Sequence, residues 1–297
     1  MRILEKGQNL TNINWYPGHM AKTKKQILED LKLIDIVIEL LDARNPVSSR
    51  NPDIQELTKG KKKIILLNKC DLADEKINQA WVKYLEKEAP TLLTDSNSGK
   101  GIEKVFKKID EMMLEEIEHQ KQRGRMNKTI RIMILGIPNV GKSSFINRIS
   151  KRTSMEVGNK PGVTKQKQWV RIAKNQELLD TPGVLWPKFD SQEVALNLAF
   201  TGTIKDDILE RVDVAYELLK KLMKIKRENL LERYKITAEE WSKFEEEENS
   251  IYALMQAIGR KRGALISGGN IDDEKTARII LEDFRNCKFG KISLEEP

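Results

Sequence analysis

Gly136-Ile137-Pro138-Asn139-Val140-Gly141-Lys142-Ser143 follows the apolar run Ile130 to Leu135 and opens a helical stretch from about Lys142 to Ile149. A glycine-punctuated turn between a buried strand and a helix start lets successive backbone N–H groups curl around a phosphate. Gly136 and Gly141 permit the curl, and the helix that follows adds the positive end of its dipole. Lys142 can bridge the β- and γ-phosphates, while the Ser143 hydroxyl is the Mg²⁺ ligand of such a loop. Pro138, Asn139, Val140, Gly141 and Ser144 complete the nucleotide-facing set.

Downstream, Asp180-Thr181-Pro182-Gly183 ends another short strand, Glu177 to Leu179. Asp180 would join the Mg²⁺ shell through water, and the Gly183 N–H would meet the γ-phosphate. Between the two motifs, Pro161-Gly162-Val163-Thr164 offers Thr164 as the threonine that closes over Mg²⁺ and γ-phosphate. Asp-x-x-Gly alone is common in turns, so its weight comes from company. Upstream lies Asn68-Lys69-Cys70-Asp71. A carboxylate such as Asp71 can accept both the ring N1–H and the exocyclic amine of guanine, a pair that adenine does not offer. Asn68 helps hold the loop, the Lys69 stem can lie over the base plane, and Thr94, Asp95 and Ser96 after the next strand can support the base from behind. Adenine would leave these polar groups without partners, which discriminates strongly.

The order of these motifs is informative. A usual G domain places the phosphate loop first and the base reader last. Here the chain runs base reader, base support, phosphate loop, Thr164 region, Asp180 motif. The two usual termini of such a domain lie close together, so rejoining them is sterically tolerable. The polar segment 123–128 is the expected join. Buried strands are expected at Ile34 to Leu41, Lys63 to Leu67, Thr91 to Thr94 and Ile130 to Leu135, with Trp169 to Ile172 beside Glu177 to Leu179. Gly101 to Gln122 carries its apolar residues at helical spacing. From about Val194 the pattern is helical alone, through Ile208 to Leu222, Leu230-Leu231, Ile251 to Ile258 and Thr276 to Phe284. The expected fold class is therefore α/β: a circularly permuted P-loop GTPase with a doubly wound sheet, followed by an all-α C-terminal domain. The expected domains are 1–200, with the N-terminal segment 1–32 included, and 201–297. Because the segment after Gly183 runs directly into the helices, loss of a γ-phosphate should be felt there.

Composition agrees with a globular chain large enough for a substantial core. Its 297 residues are 39% hydrophobic and 33% charged, a charged fraction suited to a large wetted or polyanion-facing surface. The net charge of +8 is uneven: residues 1–204 carry a surplus of about ten basic residues, whereas 205–297 are slightly acidic. Basic runs at Lys22, Lys24 and Lys25, Lys61 to Lys63, Lys151-Arg152 and Arg260 to Arg262 suit either RNA phosphates or an ordinary solvated face. Trp15, Tyr16 and Trp186 are candidates for stacking or for core packing. Cys70 and Cys287 are too few for a disulfide framework, and the first ten residues lack the apolar core of a signal peptide. Asp35 and Glu39 interrupt the apolar run around Ile36-Val37-Ile38, which cannot span a bilayer. A cytoplasmic location is the expectation. No His/Cys spacing suggests zinc or iron. Glu245 to Glu248 reads as a solvated loop or a helix start rather than a metal site, and His119 lies on a charged helix face.

Taken together, the motifs resemble the ribosome biogenesis GTPase A (YlqF/RbgA) family of circularly permuted GTPases. The residues that carry the resemblance are Trp15 to Met20, Asp42-Ala43-Arg44-Asn45-Pro46, Asn68 to Asp71, Gly136 to Ser143, Pro161 to Thr164, Asp180 to Gly183 and Trp186-Pro187. Lys261-Arg262-Gly263 and Ser267-Gly268-Gly269 extend it into the helices. The resemblance implies binding of GTP and GDP with Mg²⁺, and hydrolysis that is slow alone and accelerated by the large ribosomal subunit precursor. It implies rRNA and ribosomal proteins as partners of a monomer, without DNA or membrane. Val184 stands where many GTPases carry a water-orienting glutamine, and valine cannot hydrogen-bond a water. The resemblance assigns that catalytic task to His19; packing beside Trp15 is its other reading. It also suggests Asn139 as a K⁺ ligand, although asparagine is a common loop former. A nucleotide-gated binding module with negligible turnover is the alternative function.

Overall fold

The computed structural model describes residues 19–122, 128–157, 169–173, 175–179, 191–204 and 210–297, without the side chains of 19–23, 121 and 151–157. The described residues fall into two compact units, 19–179 together with Ser293–Pro297, and 191–292.

The first unit is built on β1 (Ile36–Asp42), β2 (Lys62–Asn68), β3 (Thr91–Leu93), β4 (Ile130–Leu135), β5 (Trp169–Ala173) and β6 (Gln176–Leu179). Their order across the sheet is β3-β2-β1-β4-β6-β5. All neighbours run parallel except β5, which pairs antiparallel with β6. All seven residues of β1 are buried, as a central parallel strand covered on both faces requires. The buried charge on that strand is matched: Arg50 donates to both oxygens of Glu39, at 3.0 and 2.9 Å.

Around the sheet lie α1 (His19–Leu31), α2 (Pro52–Leu57), α3 (Glu75–Leu85), α4 (Ile102–Gln122) and α5 (Lys142–Val157). Asn51 caps α2 with Pro52 in the first turn, and the Asp74 carboxylate caps α3 by accepting from Lys76 N and Ile77 N. Trp81 and Leu85 of α3 pack on Leu41, Ile65, Leu67 and Cys70. The turn into α4 demands glycine at 101, where φ is +83° and a Cβ would lie 2.1 Å from the Leu93 carbonyl oxygen. α5 outlasts the expected end at Ile149. The residues up to Val157 include no glycine or proline, so no helix breaker ends it earlier.

The second unit holds α6 (Gln192–Phe200), α7 (Arg211–Ile225), α8 (Arg227–Tyr234), α9 (Ala238–Glu245), α10 (Ser250–Lys261) and α11 (Asp273–Arg285). Val214, Leu218 and Leu222 of α7 are buried with Ile280, Leu281 and Phe284 of α11. Arg285 donates to Phe200 O and Ala199 O, satisfying carbonyls at the α6 C-terminus. Thr237 and Glu240 form a capping box on α9. Residues 246–249 after α9 are non-helical, and Glu246 to Glu248 are exposed, as expected of that acidic run.

The last residues return to the sheet unit. Leu294 N donates to Arg44 O at 2.7 Å, and Trp81 Nε1 donates to Glu295 O at 3.1 Å. The Glu295 carboxylate accepts from Val47 N at 2.7 Å, from Ser48 N and from Ser48 Oγ.

Candidate functional site

Parallel strands send their following loops out at one edge of a sheet, where open α/β folds bind ligands. The loops after β1, β2, β3 and β4 all leave from that edge. β1 and β2 pair with Asp42 opposite Asn68, so these two strand ends lie side by side.

The phosphate loop joins β4 to α5. Asn139 and Gly141 both have positive φ, +62° and +102°. A Cβ on Gly141 would sit 2.3 Å from Asn68 Nδ2, so glycine is required both by conformation and by the close approach of the base-reading loop. Lys142 is almost fully buried and turns back over its own loop, donating to Gly136 O at 2.7 Å and Ile137 O at 3.0 Å. Ser143 and Ser144 are exposed in the first turn of α5, at the electropositive helix end.

Asn68 ties the loops together. Its Nδ2 donates to Val140 O at 2.8 Å, across 72 residues of chain. Its Oδ1 accepts from Ser96 Oγ at 2.8 Å, Ser96 N at 3.1 Å and Thr94 Oγ1 at 3.3 Å. Arg148 of α5 donates to Ser96 O, bracing the support loop from the phosphate side. Cys70 N donates to Thr94 O, and Asn78 Nδ2 donates to Cys70 O. Cys70 thus serves as a small buried side chain in a loop held by its backbone.

Asp71 is half-buried, and desolvation followed by the nearby charge of Asp95 pushes its carboxyl up from the ordinary value. Burial works in the same direction on Asp95, but hydrogen bonds from Ser98 and the Asn97 backbone overcome it and lower that group. The result is one tightly held carboxylate behind a second that lacks full solvation and is suited to accept donors from a base.

Lys69, at φ +58°, directs its ammonium to Asn139 O at 2.6 Å and to Asp42 Oδ2 at 3.0 Å. Asp42 also receives a bidentate pair from Arg44, at 2.9 and 2.7 Å. Burial alone would raise the Asp42 carboxyl; Arg44 and Lys69 reverse this and hold it well below the usual carboxylate range. Sequence reasoning quoted Asp42 and Arg44 without giving them a task. The available signal was a carboxylate ending an otherwise apolar strand, one strand away from the base reader.

The structure brings Asn68, Lys69, Thr94, Ser96, Asn139, Val140, Gly141 and Lys142 into one neighbourhood, with Asp71 and Asp95 adjoining. Thr164, Asp180, Gly183 and Val184 lie outside the described residues, as do Trp15, Tyr16 and Trp186. The His19 backbone opens α1, while its side chain is likewise outside. Asp180 follows β6, and β6 lies beside β4, the strand that carries the phosphate loop. Among the described residues no cluster of three or more His, Cys, Asp or Glu side chains could hold a metal ion. The exposed Ser143 hydroxyl is a single hard-oxygen donor, which suits Mg²⁺ that takes its remaining ligands from phosphate and water. No described helix is long and apolar enough to cross a membrane.

Comparisons with known proteins agree with this geometry. Residues 131–252 match a family model described as 50S ribosome-binding GTPase. Ribosome biogenesis GTPase A of Bacillus licheniformis is 46% identical over 286 residues, covering 96% of this chain and 98% of the relative. The Mitochondrial ribosome-associated GTPase 1 of Ictalurus punctatus is 34% identical, covering 95% and 92%. A crystal structure of GNP-bound YlqF from T. maritima superposes with a TM-score of 0.66 at 26% identity, over 93% of this chain and 98% of that one. With Asn68 to Asp71 and Gly136 to Ser143 at one edge of one sheet, and relatives alike along nearly their whole length, this protein belongs to the ribosome biogenesis GTPase A family and is a GTP hydrolase.

Proposed function

We propose that this GTPase acts in late assembly of the large (50S) ribosomal subunit, docking on the precursor in its GTP-bound form and leaving after hydrolysis. The observation that supports the reading is the Asn68 bond to Val140 O, which ties the loop after β2 to the loop between β4 and α5, the two loops that would hold base and phosphate. The names of the relatives supply the ribosomal context.

In this reading Asp71 selects guanine, Asn68 and the Thr94-Asp95-Ser96 loop shape its slot, and the Lys69 stem covers the base. Water attacks the γ-phosphorus, the bond to the β–γ bridging oxygen breaks, and negative charge grows on that leaving oxygen. Lys142 exchanges its loop carbonyls for phosphate oxygens and offsets that charge. Mg²⁺, held by Ser143 and Thr164 and through water by Asp180, supplies further charge neutralisation when bound. His19 orients the attacking water, since Val184 has no polar group for the task. Asn139 adds a K⁺ ligand. The segment after Gly183 transmits loss of the γ-phosphate toward the helical unit, which docks on rRNA together with the basic surface of residues 1–204. The protein works as a cytoplasmic monomer.

Co-sedimentation with 45S-like precursors, mature 50S and 30S particles tests this reading. Binding to the precursor with a non-hydrolysable GTP analogue, and weaker binding with GDP, is the expected result; equal binding to 30S overturns it. Single-turnover hydrolysis should accelerate on large-subunit particles. A flat response would favour the nucleotide-gated module without turnover.

A further inference from the structure

Asp42 opens a stretch, Asp42 to Pro46, that carries part of the family resemblance without an assigned task, and its carboxylate is engaged on both oxygens beside the site. One oxygen accepts from Arg44 N at 3.1 Å and Arg44 Nε at 2.9 Å; the other accepts from Arg44 Nη2 at 2.7 Å and faces the Lys69 ammonium at 3.0 Å. The Asp42 and Arg44 side chains are 2% and 3% exposed, whereas Lys69 retains 22%. Two cations therefore converge on one buried anion, and the lysine also donates to Asn139 O of the phosphate loop.

We infer that Asp42 is a positioning residue for guanine-nucleotide affinity: anchored by Arg44, it holds the Lys69 ammonium so that the lysine stem lies over the base and its tip latches the phosphate loop. This rests on the reading of Asn68 to Asp71 as the base reader and adds a residue to it. The physical reason is directional. A lysine has three donors on a flexible stem, and without fixed acceptors it spreads over many rotamers. Arg44 makes a planar fork that locks the carboxylate plane, so Asp42 presents a lone pair in one place. Lys69 is then ordered before nucleotide arrives, and binding is spared the loss of that freedom. Lys63, Arg50 and Glu88 pair with one another or with Glu39 and do not join this cluster.

A double-mutant cycle with fluorescent methylanthraniloyl-GDP tests the inference on the full chain. Wild type, Asp42→Asn, Lys69→Met and the double variant are titrated in the same Mg²⁺ buffer, with folding checked by circular dichroism. Asp42→Asn and Lys69→Met should each weaken affinity about tenfold or more, and the double variant should be no weaker than Lys69→Met within about twofold. In turnover, the Asp42→Asn loss should fall on KM for GTP rather than on kcat. Where Asp42→Asn fails to fold, Arg44→Lys replaces it: a smaller loss is expected, again vanishing in the Lys69→Met background. An Asp42→Asn affinity within about twofold of wild type, or losses that multiply in the double variant, overturn the inference. A wild type that prefers the matching ADP probe overturns the base-reading assignment as well, which separates the two failures.

Discussion

Replacing Asn68 with alanine is the most searching perturbation of this site, because one amide serves three loops. The side chain is 1% exposed, donates to Val140 O, and accepts from Ser96 N, Ser96 Oγ and Thr94 Oγ1. Alanine leaves two backbone groups, Val140 O and Ser96 N, without this partner in a buried setting. Each such group costs about 1–3 kcal/mol. The two hydroxyls can turn elsewhere and lose less. The sum is about 3–5 kcal/mol, a large part of the roughly 5–15 kcal/mol that holds a domain together. Asn68→Asp is the informative control. It keeps the Oδ1 acceptor but turns an oxygen toward Val140 O, so it should lose about 2–4 kcal/mol through repulsion on the phosphate-loop side alone. Urea unfolding gives the total, and amide exchange at Val140 and Ser96 locates it. GDP affinity should drop at least tenfold in both variants, because base and phosphate loops no longer move as a unit. An Asn68→Ala loss below about 1 kcal/mol with unaltered GDP affinity would refute the claim that these loops are joined through this side chain.

Gly141→Ala should abolish tight nucleotide binding and lower stability by about 2–3 kcal/mol, since it combines positive φ with a clash against Asn68; a variant that melts within a degree of wild type would show that the loop tolerates a side chain. Asp71→Asn should shift preference from GTP toward xanthine nucleotides, read by competition titration. Because the folded Asp71 carboxyl titrates above its ordinary 3.8, its charge opposes folding of the nucleotide-free protein at neutral pH; that penalty is absent below 3.8 and grows as pH rises through the raised value. Asp71→Asn should therefore raise the Tm of the free protein at pH 7 while lowering GTP affinity, and a lowered Tm would contradict this sign. Deleting residues 293–297 should destabilise the sheet unit by about 2 kcal/mol and alter Trp81 emission, through loss of the caps on Val47 and Ser48 and of the Trp81 hydrogen bond. Identical urea curves would dismiss the tail as a structural element.

Much of this architecture was legible because it rests on short-range rules. β4 runs from Ile130 to Leu135 as its apolar run implied, and Asn68, Lys69 and Gly141 announced themselves by motif. The helices α1, α2 and α3 went unnamed. α2 is only six residues long, too short for a periodic signal, whereas α3 does carry one, with Ile77, Trp81 and Leu85 on one face after the Asp74 cap, and the neighbouring motif overshadowed it. The Asp42–Arg44–Lys69 cluster depends on strand register, which no local pattern encodes. The return of Ser293 to Pro297 was equally hidden, because Ser-Leu-Glu after a helical stretch resembles any polar end. Its attachment comes from backbone groups, the Ser293 hydroxyl, the Glu295 carboxylate and the single buried apolar side chain of Leu294 rather than from an apolar run.

The strand arrangement also explains why reordering the motifs leaves the chemistry intact. The base reader follows β2, its support follows β3 and the phosphate loop follows β4, each at the carboxyl edge of parallel strands. β4 is entered at Ile130, at the opposite edge, where α4 delivers the chain. A join made there changes which strand is synthesised first without touching any loop that meets nucleotide. What it does change is the route out of the site. After β6 the chain has no further strand of this sheet to build among the described residues, and it goes on to α6 and the helical unit. In an unpermuted order the same segment would be pinned between two sheet strands. Under the proposed function, the segment that follows Asp180 is next in the chain to the helical unit, so the rearranged motif order would couple loss of a γ-phosphate to that unit along a short stretch of sequence.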